Sequence, residues 1–201
     1  MKTICFIGVS ALLWASVSCQ SDRETTQTPA PVSSSVYKEN GSDIGTSAVT
    51  PDLAGARAAA ATTDQQQQVL NYINAARSKP CKCGTTTYPA VPALTLDTQL
   101  NTASDKFAVD LATYNYFSHT GRDGSMPWDR MTREGYIWRA AGENIAAGYS
   151  TPQAVVAGWL ASTGHCQNIM SANFKNVGVG YGYSASSTYK HYWVTDFGTR
   201  R

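Results

Sequence analysis

The stretch VGVGYGY, residues 177–183, limits the fold more than any other part of the chain. Read as a β-strand, it puts Val177, Val179, Tyr181 and Tyr183 on one face and only glycine on the other. A strand gives up side-chain packing on one face where another backbone comes very close. The chain must therefore bring a helix or a second backbone almost into contact with this sheet. From Tyr189, YKHYWVTDF alternates in the same way, and the small polar segment SASST between the two runs suits a turn.

Upstream the apolar period becomes helical. TDQQ is a capping-box pattern, with Thr63 at the cap and Gln66 three residues on, and Val69, Tyr72, Ile73 and Ala76 follow at helical spacing as far as Lys79. A second amphipathic helix is predicted over Asp97–Tyr114, with Leu96, Leu100, Ala103, Phe107 and Leu111 as its buried stripe. Ser125 is placed to cap a short helix beginning at Met126-Pro127. Thr151-Pro152 opens another, with Val155, Trp159 and Ser162 on one side and an end at Gly164. The segments around CKCGTTTYPAVPAL and AAGENIAAGYST read as loops.

The N-terminus has a different character. Residues 1–18, a lysine followed by an apolar run ending in small residues, have the form of a secretory signal. Cys19 stands directly after it, where bacterial lipoproteins are cut and lipidated. Residues 19–63 are Ser, Thr, Ala, Pro and Gly with scattered charges, and are read as a lipid-anchored flexible tether. Residues 64–201 are left as one domain. The chain is 42% hydrophobic and 15% charged, enough to bury a core. Its net charge of +2 gives no basis for binding nucleic acid. The mature chain is expected outside the cytoplasm, touching a membrane only through its lipid, and acting as a monomer.

Removing the signal removes Cys5 and leaves Cys19, Cys81, Cys83 and Cys166. With Cys19 lipidated, one disulfide and one spare thiol is the simplest accounting in an oxidising compartment. CKC is too tight for an unstrained bridge to itself, so one of Cys81 and Cys83 should reach Cys166. A zinc site made from these cysteines is disfavoured, because structural zinc usually takes four N or S ligands at recognisable spacing.

The domain's three histidines are His119, His165 and His191. His191 lies in a regular alternating strand and reads as a half-buried sheet residue. His119 and His165 each follow an expected helix end, in segments where side chains converge on a cleft. Glu143, in AGENIAAG, is an acid in an apolar stretch and needs a partner if buried. Two imidazoles and a carboxylate are the ligand kit of a zinc site. They equally suit a hydrogen-bonded cluster that fixes loops. Cys166 as a nucleophile beside His165 is the weaker idea, since sequence neighbours generally point apart. HExxH, GxSxG and phosphate-loop motifs are absent.

YFSHTGRDGS, GENIAAG, W-x-x-S-x-GH-C-x-NIM, VGVGYGY and YWVTDFG, in this order and spacing, resemble the bacterial branch of the CAP superfamily. That superfamily takes in the cysteine-rich secretory proteins, antigen 5 and the pathogenesis-related proteins. The resemblance runs from about Gln66 to Gly198. It implies an α+β fold, an α-β-α sandwich with a central antiparallel sheet between helical layers, and a further strand near GENIA or YPAVPA. It implies a cleft in which His119, Glu143 and His165 take the family's positions. Ser162 stands where many eukaryotic members carry a second acid. The family pattern favours a Cys-Gly pair for the bridge, which with Gly84 selects Cys83–Cys166. Two functions follow. The first is a binding module with a polar cleft that holds zinc or another divalent ion, for a lipid, cell-wall polymer or peptide ligand. The second is a metal-dependent hydrolase with Glu143 as general base. The incomplete set of acids favours the first.

Overall fold

The computed structural model describes residues 59–201 and, as backbone, residues 32–38. The signal segment and Cys19 lie outside the described residues. In chain order the elements are β1 (Val32–Lys38), α1 (Thr63–Arg77), β2 (Cys81–Cys83), β3 (Thr86–Tyr88), β4 (Thr95–Leu96), α2 (Thr98–Tyr114), α3 (Pro127–Arg133), β5 (Trp138–Ala147), α4 (Pro152–Ala161), α5 (Thr163–Ile169), β6 (Asn176–Tyr183) and β7 (His191–Arg200).

A five-stranded sheet in the order β1-β5-β7-β6-β4 forms the middle layer. The glycine face of β6 decides how α2 sits. A Cβ built on Gly178, Gly180 or Gly182 would lie 2.1 Å from a backbone atom of Leu100, Ser104 or Ala108 respectively. Four residues of helix advance about 6 Å and two residues of strand about 6.6 Å. The three glycines therefore stay in step with three successive turns of α2. With α3, this helix forms one outer layer, burying Phe107, Ala108 and Leu111 against Ile145, Tyr192 and Val194.

The other layer is α1, α4 and α5. Val69, Ile73, Val155, Trp159 and Ile169 pack on Val177, Val179, Trp193 and Phe197, from the opposite sheet face. Arg77, fully buried at the end of α1, donates to the carbonyls of Pro92, Ile169 and Ser171 and so ties α1 to two loops. Burial lowers its pKa to about 10, which leaves it charged at neutral pH.

The α-β-α sandwich is as expected; several local expectations are corrected. The capping box uses Thr62 and Gln65, one residue earlier than expected. GENIA lies in the middle of strand β5, not a loop. Its Gly and Ala residues show neither period, because the strand is buried on both faces. CKC forms a hairpin with Thr86–Tyr88. Ser125 is not the cap of α3: Met126 is, and the Asp129 carboxylate accepts from its N–H at 2.8 Å. The helix expected to end at Gly164 breaks at Ser162, whose extended backbone starts α5, so His165 and Cys166 are helical. The sheet is antiparallel except where the short β4 joins β6 in parallel. Inside the segment read as a tether, Val32–Lys38 pairs with β5, whose outer edge has backbone groups to satisfy.

Candidate functional site

Glu143 is the centre of the site. It is fully buried in β5, on the face that looks towards α2 and α3. One of its oxygens lies 2.6 Å from Arg130 Nη2, and the other 2.5 Å from His119 Nδ1. Arg130 comes from α3. Its Nη1 donates to the carbonyls of His119 and Ser125, and its guanidinium stacks 3.4 Å from the centre of the Phe107 ring. The guanidinium thus neutralises the acid and pins the loop that carries His119. That loop leaves α2 through Asn115, which ends the helix in the left-handed conformation. His119 Nε2 is buried without a hydrogen-bond partner.

A second carboxyl stands beside the first. Asp196 on β7 is the register partner of Glu143 on β5, is completely buried, and accepts from Ser104 Oγ at 2.9 Å. Burial first, and the Glu143 charge second, push its carboxyl well above the ordinary carboxylate range. Two adjacent carboxylates in a dry site disfavour each other's charge, so the place of Asp196 beside Glu143 favours its protonated form.

His165 is placed differently. The next residue of β5, Asn144, turns to the opposite face. Its amide donates to the His165 carbonyl at 3.2 Å and its oxygen accepts from Asn168 at 2.8 Å. Asn168 also donates to the Glu143 carbonyl. Alternation along β5 thus splits the cleft, with Glu143, His119 and Arg130 on one side and α5 with buried His165 on the other. Ser162 lies at the α4–α5 break, partly exposed.

The Cys83–Cys166 disulfide has a Cα–Cα distance of 5.4 Å. Cys81 stays outside it, with its sulfur 3.8 Å from that of Cys166. Among the described residues, these three cysteines are the only group of three or more His, Cys, Asp or Glu with ligand atoms all within 4.8 Å of one another. His119, Glu143 and His165 do not form such a group. His191 meets Tyr181 through Nδ1 at 2.7 Å, a sheet contact. A cavity of about 410 Å³ lies between α2 and α3, lined by residues including Lys106, Phe107, Arg122, Ser125 and Arg130, and so reaches the guanidinium that holds Glu143.

Arg130, Asp196 and Ser104 were not legible as site residues. The signal for Arg130 was indirect, an acid in an apolar strand that required a cation from elsewhere. Asp196 hid in an alternating strand, at a position that sequence alone assigns to the same face as Val194 and Tyr192.

The three layers, helices on both faces of a central sheet, set the class of fold. The chain belongs to the cysteine-rich secretory protein (CAP) family, whose model matches residues 70–197. It is 35% identical over 121 residues to YkwD of Bacillus subtilis strain 168, an uncharacterised protein, covering 60% of this chain and 44% of the relative. It is 30% identical over 119 residues to the uncharacterised membrane protein YlbC of the same organism, covering 59% and 32%. The chain thus spans less than half the length of these curated relatives. Among solved structures, an extracellular SCP-domain protein of Bacillus anthracis matches with a TM-score of 0.55 and 29% identity, over 69% of this chain and 41% of that one. An outer surface protein of Borrelia burgdorferi shares the fold at a TM-score of 0.50 and 22% identity, over 55% and 80%. No helix among the described residues is long and apolar enough to cross a membrane.

Proposed function

We propose that this chain is an extracytoplasmic binding module, held at a membrane by a lipid on Cys19, with the polar cleft around Glu143 as its ligand site. The engagement of Glu143 carries this reading. Both of its oxygens are already bound, by Arg130 and His119, and its side chain has no exposed surface. A general base must reach the water it activates, and a carboxylate so enclosed serves better to position His119 and the His119 loop than to accept a proton from substrate. The extracellular and outer-surface proteins that share the fold support the location. Fatty-acid labelling tests the anchor: wild type should be labelled and Cys19→Ala not.

The binding reading is tested with purified domain against a panel of synthetic peptides, muropeptides and phospholipid vesicles, by calorimetry. Binding by the wild type that is lost in His119→Ala supports it. Turnover of any panel member that disappears in Glu143→Gln would replace it with the hydrolase reading.

A divalent ion remains part of the proposal in a limited form. His119 fits a ligand role: Glu143 holds Nδ1, the outer half of a carboxylate–histidine–metal arrangement, and Nε2 remains for the ion. Glu143 is taken up by its own partners, and among the described residues His119, Glu143 and His165 do not come together as one ligand group, so of the three it is His119 that the proposal gives the ion. Zinc titration of wild type, His119→Ala and His165→Ala checks this. Binding by wild type that is lost in His119→Ala and kept in His165→Ala is expected. Equal titration by all three proteins would place the ion elsewhere.

A further inference from the structure

The chain joins the sheet before it reaches its first helix. Residues 32–38 pair antiparallel with the outer edge of β5, and the register sets Val32 opposite Ala146, Ser35 opposite Glu143 and Lys38 opposite Ala140. The segment also runs beside α5, which carries His165. Its sequence suits an edge strand. VSSSVYK has no proline and no glycine, so every residue brings an N–H and a C=O to the ladder, while Pro31 before it and Gly41 after it mark its ends. The described chain resumes at Ala59, which bridges to Tyr183 of β6.

Chain length turns this pairing into a distance. An extended chain spans at most about 3.3–3.6 Å per residue. From Cys19 to Val32 that is no more than about 45 Å, and from Cys19 to Ala59 no more than about 140 Å. Seating of residues 32–38 on β5 decides which of the two limits governs the domain. The direction of the strand matters as well. Val32, the residue of the segment nearest Cys19, pairs at the C-terminal end of β5, so that end of the sheet leads towards Cys19. Glu143, opposite Ser35, lies about 10 Å further along the strand.

We propose that residues 32–38 are a strap that shortens the leash of the lipid on Cys19, holding the Glu143 cleft within about 55 Å of the membrane with the C-terminal end of β5 leading. This rests on the anchor proposed above and adds where the anchored cleft works. Seated, the strap confines the cleft to ligands at or near the membrane surface. Released, it frees a leash about three times longer. The strap is the outermost strand of its sheet, paired on one side, and such an edge opens at a lower free energy than the core strands β5 and β7.

The experiment uses the lipidated full chain in vesicles of phosphatidylethanolamine and phosphatidylglycerol that carry an acceptor fluorophore on their headgroups. A donor is attached at Ser150→Cys, an exposed position just beyond the end of β5. Energy transfer then reports how close that end lies to the membrane. A flexible insert of about twenty Gly and Ser residues is placed either between Thr25 and Thr26 or between Thr46 and Ser47, leaving residues 59–201 untouched. The first insert lies before the strap and should lower transfer by about half. The second lies behind it and should leave transfer unchanged. Ser34→Pro with Ser35→Pro removes a ladder donor whichever alternate set of N–H groups faces β5. In that variant transfer should fall, and the two inserts should act alike. Equal losses from the two inserts in the otherwise unaltered chain would overturn the strap and leave the anchor standing. A chain that never joins the vesicles, or that joins them equally well as Cys19→Ala, would overturn the anchor and the strap's leash with it. The ligand panel still decides the binding reading by itself.

Discussion

Glu143 and Arg130 are a buried ion pair, and such pairs are costly to break one partner at a time. Glu143→Ala leaves a guanidinium with only 8% of its side chain exposed and without its ion-pair partner. The expected loss is about 3–5 kcal/mol, read from urea denaturation. Replacing both partners, as Glu143→Leu with Arg130→Met, should recover most of that loss while removing the hold on His119. Asp196 and Asp105 set the pH dependence. Burial raises Asp105 to about 6, against the N–H groups of Ala61 and Tyr181 that lower it; Asp196 is raised well above the ordinary value of 3.8. Both carboxyls bind protons more tightly in the folded chain than in the unfolded one. Their protonated forms favour the native state; the stability that Asp105 contributes is lost as pH rises from near 3.8 through about 6, and Asp196 acts in the same direction. Asp196→Asn should flatten that fall. Denaturation across this range checks it, and an unchanged slope would show that Asp196 is not the titrating group.

At the scale of elements, α2 and β6 are held by contact between backbones. Gly180→Ala puts a methyl 2.1 Å from the Ser104 carbonyl group, and backbone cannot swing aside as a long side chain does. Destabilisation at the upper end of the usual 1–3 kcal/mol for overpacking, roughly, or beyond it, is expected from denaturation. The β2–β3 hairpin carries the other element-level prediction. Cys81 and Cys83 are two residues apart on one strand and therefore share a face. In Cys83→Ser, Cys81 is already 3.8 Å from the Cys166 sulfur. The variant should close a Cys81–Cys166 bridge, found by non-reducing peptide mapping; two unreacted thiols would contradict it.

For the whole molecule, the disulfide spans 83 residues and joins the β2–β3 hairpin to α5. On the chain-entropy model a loop of that length stabilises by about 4–5 kcal/mol. Reduction should lower the melting temperature by about 10–15 °C for a chain of this size. The two helical layers meet the sheet independently, one through glycines and one through large apolar side chains. The site sits where both layers reach the outer edge of β5, which is why α3, the His119 loop and α5 all contribute to it.

Much of this was written in local sequence. Helix α2, the opening of α4 at Thr151-Pro152, the glycine face of β6 and the alternation of β7 are patterns of period 3.6 or 2, set by neighbours within a few residues. The family motifs placed His119, Glu143 and His165 in one region, and Gly84 with the Cys-Gly pattern marked Cys83 as the bridged cysteine. What local sequence did not contain were relations between distant segments. GENIAAG shows no period because β5 is buried on both faces. Ser162 breaks a helix that reads as continuous up to Gly164. Arg130 and Asp196 became site residues only when α3 and β7 were brought against β5, since a buried charge takes its partner from whatever the packing supplies. The seating of residues 32–38 likewise depends on an unpaired strand edge more than a hundred residues along the chain, and only the folded sheet creates that edge.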